Sequence, residues 1–267
     1  MSPSNSQTAT FFESDSGKPR LAYLQREAWP QSQKPGLIWL GGFRSDMRGG
    51  KATFLDEFAA NQGRAYLRFD YSGHGESEGA FEDGAIGDWA AEALAIFRAL
   101  TKGPQIVIGS SMGGWIALLL ARALAASGEA DRLAGIVLIA PAVDFTEELI
   151  WPQLPDAVKE TLQRDGVWLR PATEEGPGYP LTRRLFEDGR NHLLLGGEIR
   201  SWCPVRILQG MQDAAAPWRH TMKLVEHLAA DPVIVTLIKD GVHNLSRPQD
   251  LAALQNAVEQ TDADFLT

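Results

Sequence analysis

Gly103-Pro104-Gln105-Ile106-Val107-Ile108-Gly109-Ser110-Ser111-Met112-Gly113-Gly114-Trp115 is the stretch on which the fold of this 267-residue chain turns. The β-branched run Ile106-Val107-Ile108 predicts a short strand, and Trp115-Ile116-Ala117-Leu118-Leu119-Leu120-Ala121 predicts a buried helix. Between them lies Gly109-Ser110-Ser111-Met112-Gly113, a Gly-x-Ser-x-Gly corner. At a strand-to-helix turn this pattern holds the central serine in a strained conformation with its hydroxyl above the sheet. Only Ser111 fits the frame, because Ser110 would be flanked by Ile108 and Met112. Glycines at 109 and 113 suit such a corner, since strand and helix can then approach without side chains between them.

The same alternation continues on both sides. Upstream, Leu37-Ile38-Trp39-Leu40 predicts a strand buried on both faces and ends in Gly41-Gly42-Phe43. A helix over residues 51–61, the strand Ala65-Tyr66-Leu67-Arg68-Phe69, the loop Asp70-Tyr71-Ser72-Gly73-His74-Gly75-Glu76-Ser77 and a helix over 86–100 follow. Partial alternation at 11–15 and 21–26 around Ser16-Gly17-Lys18-Pro19 predicts an opening antiparallel hairpin, and polar residues 1–10 are expected to be disordered. Downstream, strands are expected at 135–140, 205–208 and 233–238, and helices at 217–229 and 248–261, with Pro217 suited to a first helical turn. Short β-rich runs alternating with helices predict an α/β fold with a mainly parallel, doubly wound sheet. The rhythm breaks between about 143 and 201, where Pro152, Pro155, Pro171, Pro177 and Pro180 interrupt short helical patches such as 155–164. That segment follows a core strand, so it is expected to be a helical lid inserted in one domain spanning 1–267.

Composition narrows the function. A formal charge of −9 without a basic stripe argues against a nucleic-acid partner, and the adjacent Arg183-Arg184 pair reads as solvated surface. One cysteine, Cys203, excludes an internal disulfide framework and a Cys-rich zinc site, and it reads as a buried thiol. No apolar run approaches the ~20 residues of a membrane span. Met1 to Thr10 lacks the basic and apolar regions of a signal peptide, so a cytoplasmic location is expected. No Gly-x-x-x-x-Gly-Lys-[Ser/Thr] is present, nor is Gly-x-Gly-x-x-Gly on the first parallel strand, so no phosphate-loop or dinucleotide cofactor site is expected. No metal site or other cofactor is expected either.

A serine hydroxyl is a weak nucleophile until a base takes its proton. Of His74, His192, His220, His227 and His243, the last stands apart. It lies in Lys239-Asp240-Gly241-Val242-His243-Asn244, directly after a predicted strand. His220 and His227 share a predicted helix and read as surface or half-buried. His192 lies in the lid and reads as solvated, and His74 in a glycine-rich turn reads as loop geometry. The base needs a carboxylate to fix its tautomer. Asp213, after the strand that precedes the one leading to His243, is the candidate; Asp144 is the rival, and Asp240 reads as solvated. An oxyanion would be held by the backbone N–H groups of Met112 and of Phe43, the latter in the turn after the first parallel strand. Trp115, Trp151, Trp168, Trp202 and Trp218 read individually as packing, with Trp151 and Trp168 in the lid as candidate substrate contacts.

With these residues in place, the chain resembles the α/β-hydrolase superfamily, in the Ser111 corner, in the positions of Asp213 and His243, and in Asp70-Tyr71-Ser72-Gly73-x-Gly. More narrowly, Arg68-Phe69-Asp70-Tyr71-Ser72-Gly73, Gly103-Pro104-Gln105-Ile106, Gly109-Ser110-Ser111-Met112-Gly113-Gly114-Trp115 and Gly166-Val167-Trp168 look like the mitochondrial palmitoyl-protein thioesterase and mycophenolic acid acyl-glucuronide esterase branch. The likeness runs from about Gly36 to the end. It departs where the oxyanion turn lacks the histidine many relatives carry, and where an Arg-rich presequence would stand. The resemblance implies a bacterial-type serine hydrolase of carboxylic esters or acyl thioesters, on a small-molecule or acyl-chain substrate or an acylated protein. Peptide, haloalkane or C–C bond hydrolysis and a non-catalytic receptor of the same fold are the alternatives.

Overall fold

Strand β3 (Gly36–Leu40) lies at the middle of the molecule because each of its residues is buried, on both faces of a sheet. The computed structural model describes residues 7–13, 17–172, 177–228 and 230–266. Among them, β1 (Thr10–Phe12), β2 (Leu21–Arg26), β3, β4 (Tyr66–Phe69), β5 (Gln105–Ser110), β6 (Leu133–Ile139), β9 (Val205–Gly210) and β10 (Val233–Ile238) form one sheet. Its order is β1-β2-β4-β3-β5-β6-β9-β10. From β4 through β10 neighbours run parallel, while β1 pairs β2 and β2 pairs β4 antiparallel. The opening hairpin is therefore present, although residues 1–6 and 14–16 lie outside the described residues and β1 begins at Thr10, inside the stretch expected to be disordered.

Helices cover both faces, as parallel strands require. Helices α2 (Ile86–Leu100) and α3 (Met112–Ala126) pack with Val107, Ile38 and Leu138 on one side. Helices α1 (Gly50–Gln62) and α7 (Pro248–Leu266) pack with Ile106, Ile108 and Val137 on the other. The alternation Ile106, Val107, Ile108 thus feeds two cores from one strand. Arg64 is fully buried where α1 meets β4, and its guanidinium donates to both carboxylate oxygens of Asp262 on α7 at 2.7 and 2.9 Å. Burial pushes the Arg64 pKa down, and Asp262 opposes that shift.

The insertion between β6 and β9 is not purely helical. It opens with a π-helical turn, Thr146–Ile150, and holds α4 (Asp156–Asp165) and α5 (Arg183–Arg190). Between these two helices runs an antiparallel hairpin of β7 (Val167–Arg170) and β8 (Tyr179–Thr182), which the helical reading did not include. Gly166, at φ +81°, ends α4 in the left-handed conformation and turns the chain into β7. Pro180 is tolerated because a two-stranded ribbon leaves one edge of each strand unpaired. One smaller difference concerns the last third. Pro217 caps α6 (Trp218–His227) from just outside it and is not in its first turn. Ala229 lies outside the described residues. Strand β10 is an edge strand with Ile234 and Leu237 exposed.

Candidate active site

Ser111 sits between β5 and α3 with φ 53° and ψ −117°, a conformation costly for a residue with a side chain. The surroundings leave no alternative path. A Cβ on Gly109 would lie 2.3 Å from the Gly113 carbonyl oxygen, and one on Gly113 would lie 2.1 Å from that of Leu40. Each glycine is therefore a close-approach position, and the close approach holds the serine in its strained turn. The Ser111 N–H donates to Ile139 at 2.9 Å, and its carbonyl accepts from Ala142 at 3.1 Å. The corner is thereby tied to the end of β6.

The loops after β9 and β10 bring two more groups to this corner. His243 places Nε2 3.0 Å from Ser111 Oγ and Nδ1 2.7 Å from Asp213 Oδ2. The Asp213 side chain is fully buried, whereas the imidazole is 35% exposed and so reachable from the site. The other Asp213 oxygen accepts from the amides of Ala215 and Ala216 at 2.9 and 2.8 Å, and Gln209 Nε2 lies 3.3 Å from Oδ2. This carboxylate is held by neutral donors on every side but one, where the imidazole sits.

Asp144 is buried but occupied elsewhere. Its carboxylate accepts from the Leu194 and Leu195 amides at 2.8–3.0 Å, fastening the chain after α5 to the end of β6. Burial raises its pKa, and those two amides oppose the shift. Asp240 pairs with Arg247 at the surface. The remaining imidazoles have structural partners. His220 is buried, more deeply than the surface or half-buried reading expected, with Nε2 2.8 Å from the Val143 carbonyl. His74 is buried against Tyr71, Phe81 and Trp89. His192 lies 3.5 Å from Asp188, and His227 is 2.8 Å from the Gly197 carbonyl. Burial pushes the Cys203 thiol up to about 12, which keeps it protonated and unreactive.

Phe43 and Met112 both border the space in front of Ser111. Met112 opens α3, where the first amides have no intrahelical acceptor and the helix dipole favours negative charge. Among the described residues, neither amide donates to a backbone carbonyl outside regular structure. Gly42 brings the turn close, since a Cβ there would be 3.3 Å from that of Ser111.

Two cavities meet at Ser111, Phe43 and His243. One, of about 300 Å³, is walled by Phe145, Leu149, Ile150 and Tyr179 from the insertion, with Arg170 at its edge. The other, of about 450 Å³, is polar and bordered by Ser45, Lys51, Asn244 and Ser246. Neither Trp151 nor Trp168 lines them; Trp151 packs on Phe186 with ring centroids 5.0 Å apart, and Trp168 is half-buried in β7. The apolar wall was missed because Phe145, Leu149 and Ile150 precede Trp151 in a π-helical turn, whose spacing matches no simple periodicity. Among the described residues there is no cluster of His, Cys, Asp and Glu suited to a metal ion, and no helix long and apolar enough to cross a membrane.

Residues 35–259 match the alpha/beta hydrolase family. Mitochondrial palmitoyl-protein thioesterase ABHD10 of Bos taurus is 34% identical over 255 residues, which cover 95% of this chain and 80% of that protein. Among solved structures, a protein from Agrobacterium vitis S4 assigned only as a hydrolase is 46% identical with a TM-score of 0.89, covering 96% of this chain and 98% of its own. Mouse alpha/beta hydrolase domain-containing protein 10 is 31% identical with a TM-score of 0.85, covering 98% of this chain and all (100%) of its own.

Proposed function

The chain belongs to the alpha/beta hydrolase family, and from that premise we propose that it is a serine hydrolase cleaving carboxylic esters or acyl thioesters through an acyl-enzyme on Ser111. The observation that carries the reading is the unbroken relay from Ser111 Oγ through His243 to Asp213, at 3.0 and 2.7 Å. Ser111 Oγ attacks the acyl carbon while His243 Nε2 takes its proton. The tetrahedral oxyanion is held by the Phe43 and Met112 amides, where losing one such donor typically costs ~2.7–4 kcal/mol of barrier. Collapse expels the alcohol or thiol, which leaves with the proton from His243. Water then attacks the acyl-serine, His243 again taking and returning the proton, and the free acid departs. Asp213 keeps Nδ1 protonated and stabilises the imidazolium.

The two cavities divide the substrate. The apolar one beside Phe145, Leu149 and Ile150 suits the acyl chain, and the polar one suits the leaving group. The thioesterase relatives favour a thioester among acyl substrates. A fluorophosphonate probe should label the protein and fail on Ser111→Ala; equal labelling of both would exclude Ser111 as the nucleophile. In a series of acyl thioesters, each methylene buried should improve kcat/KM about fourfold, from ~0.8 kcal/mol per CH₂, until the chain fills the apolar cavity. Turnover of short esters with no response to chain length would leave an esterase and remove the acyl-chain assignment.

A further inference from the structure

Lys51 stands in the first turn of α1, lines the polar cavity together with Phe43, and is only 9% exposed. Its ammonium reaches across to the loop that carries His243. It donates to the backbone carbonyl of Asn244, lies 3.1 Å from Asn244 Oδ1 and is 3.5 Å from Ser246 Oγ. An ammonium has three donors and no acceptor, so three oxygens match it only while it is protonated. Asn244 directly follows His243, and Leu245 after it is buried at φ +42°, a conformation that persists only where neighbours impose it. One amine thus joins the oxyanion side of the site to the base side, in the wall of the polar cavity that both border.

We propose that Lys51 is a positioning residue for His243, its ammonium clamping the Asn244–Ser246 segment so that the imidazole stays in register with Ser111. The proposal rests on His243 being the general base. The charged or titratable groups around the amine are Asp250 on α7, which is paired with Arg247, and His243 itself; Asn244 and Ser246 are neutral. Burial pushes the amine down to about 8, with Asp250 opposing the shift. As pH rises through that value the third donor is lost and a lone pair turns toward the oxygens, so the clamp loosens. Global stability moves the other way, because the unfolded chain holds this proton to higher pH than the folded one does.

The test compares wild type, Lys51→Met and Lys51→Arg, reading kcat and KM against pH from 5 to 10 together with Tm. A small misplacement of a catalytic group can cost about 100-fold. Lys51→Met should therefore lose roughly 10- to 100-fold in kcat at neutral pH, with little change in KM and no fall in Tm. Lys51→Arg, whose guanidinium keeps its proton over this range, should recover part of kcat and lack the decline near pH 8. Wild-type kcat in Lys51→Met, or a decline near pH 8 unchanged in both variants, would overturn the clamp. So would an activity loss that only tracks a lowered Tm. His243→Ala, assayed alongside with a fluorophosphonate, separates the premise: undiminished labelling of that variant would overturn His243 as base, and the clamp with it.

Discussion

Asp213→Asn isolates one hydrogen bond. In the wild type, one carboxylate oxygen takes two backbone amides, from Ala215 and Ala216, and the other takes His243 Nδ1 at 2.7 Å and, more distantly, Gln209 Nε2 at 3.3 Å. An asparagine must keep its carbonyl oxygen on the two amides, because turning the NH₂ there would oppose two donors with a third. The NH₂ then faces His243 Nδ1, and the imidazole must present a lone pair to it. The ring proton moves to Nε2, which meets Ser111 Oγ as a donor and has no capacity to take a proton. The same exchange in a serine protease lowers kcat ~10⁴-fold, equivalent to about 5.4 kcal/mol of barrier. The assay is kcat on an acyl thioester, with Tm to verify folding. Asp144→Asn is the comparison, because the Asp144 carboxylate accepts from the Leu194 and Leu195 amides and, among the described residues, does not touch His243. Its φ of 55° is one that asparagine tolerates. It should lose about 1–3 kcal/mol of stability and less than ~10-fold in kcat. A larger kcat loss in Asp144→Asn than in Asp213→Asn would refute the assignment of the acid.

Asp70 accepts the amides of Met47 and Glu76 at 2.6 and 2.9 Å, yet burial holds its carboxyl up at about 6. The folded chain keeps this proton to higher pH than the unfolded one, so stability falls as pH rises from the ordinary carboxylate range to about 6, by roughly 3 kcal/mol. Asp70→Asn sets its NH₂ against one of those two amides and should lower Tm at pH 4, but the deficit relative to wild type should shrink by pH 7 as the wild type loses this proton; a deficit that widens over that interval would show that the charged form is the better bound. Asp262→Ala strands the Arg64 guanidinium, which is 0% exposed, and should cost about 3–5 kcal/mol, read as a Tm fall by calorimetry. A change within ~1 kcal/mol would mean that the Arg64 contact to the Pro35 carbonyl suffices for the charge.

The sheet was legible because its central strands are short apolar runs with abrupt glycine ends. Ile106-Val107-Ile108 and Leu37-Ile38-Trp39-Leu40 admit little else once helices alternate with them. That Ser111, His243 and Asp213 meet was legible for a related reason, since each follows a strand end. The β7–β8 hairpin was not, because four-residue strands carry too few alternations to register. Nor was Lys51, whose partner Asn244 is 193 residues away. A lysine near a helix start reads as solvated until the fold lays another loop over it. His220 was misread similarly, as its helix packs a polar ring against the Val143 carbonyl from the insertion.

Phe43 belongs to two assemblies at once. It lines the cavity in front of Ser111, while its ring meets Tyr179 on β8 at 5.8 Å and Phe145 at 5.4 Å. Arg44, the next residue, lies over the Tyr179 ring at 4.4 Å. Core rings Phe81 and Trp89 hold the same phenyl from its other side, at 5.0 and 6.0 Å. The turn beside the serine and the wall of the insertion thus share one aromatic anchor, so a substitution that repacks either is felt by both.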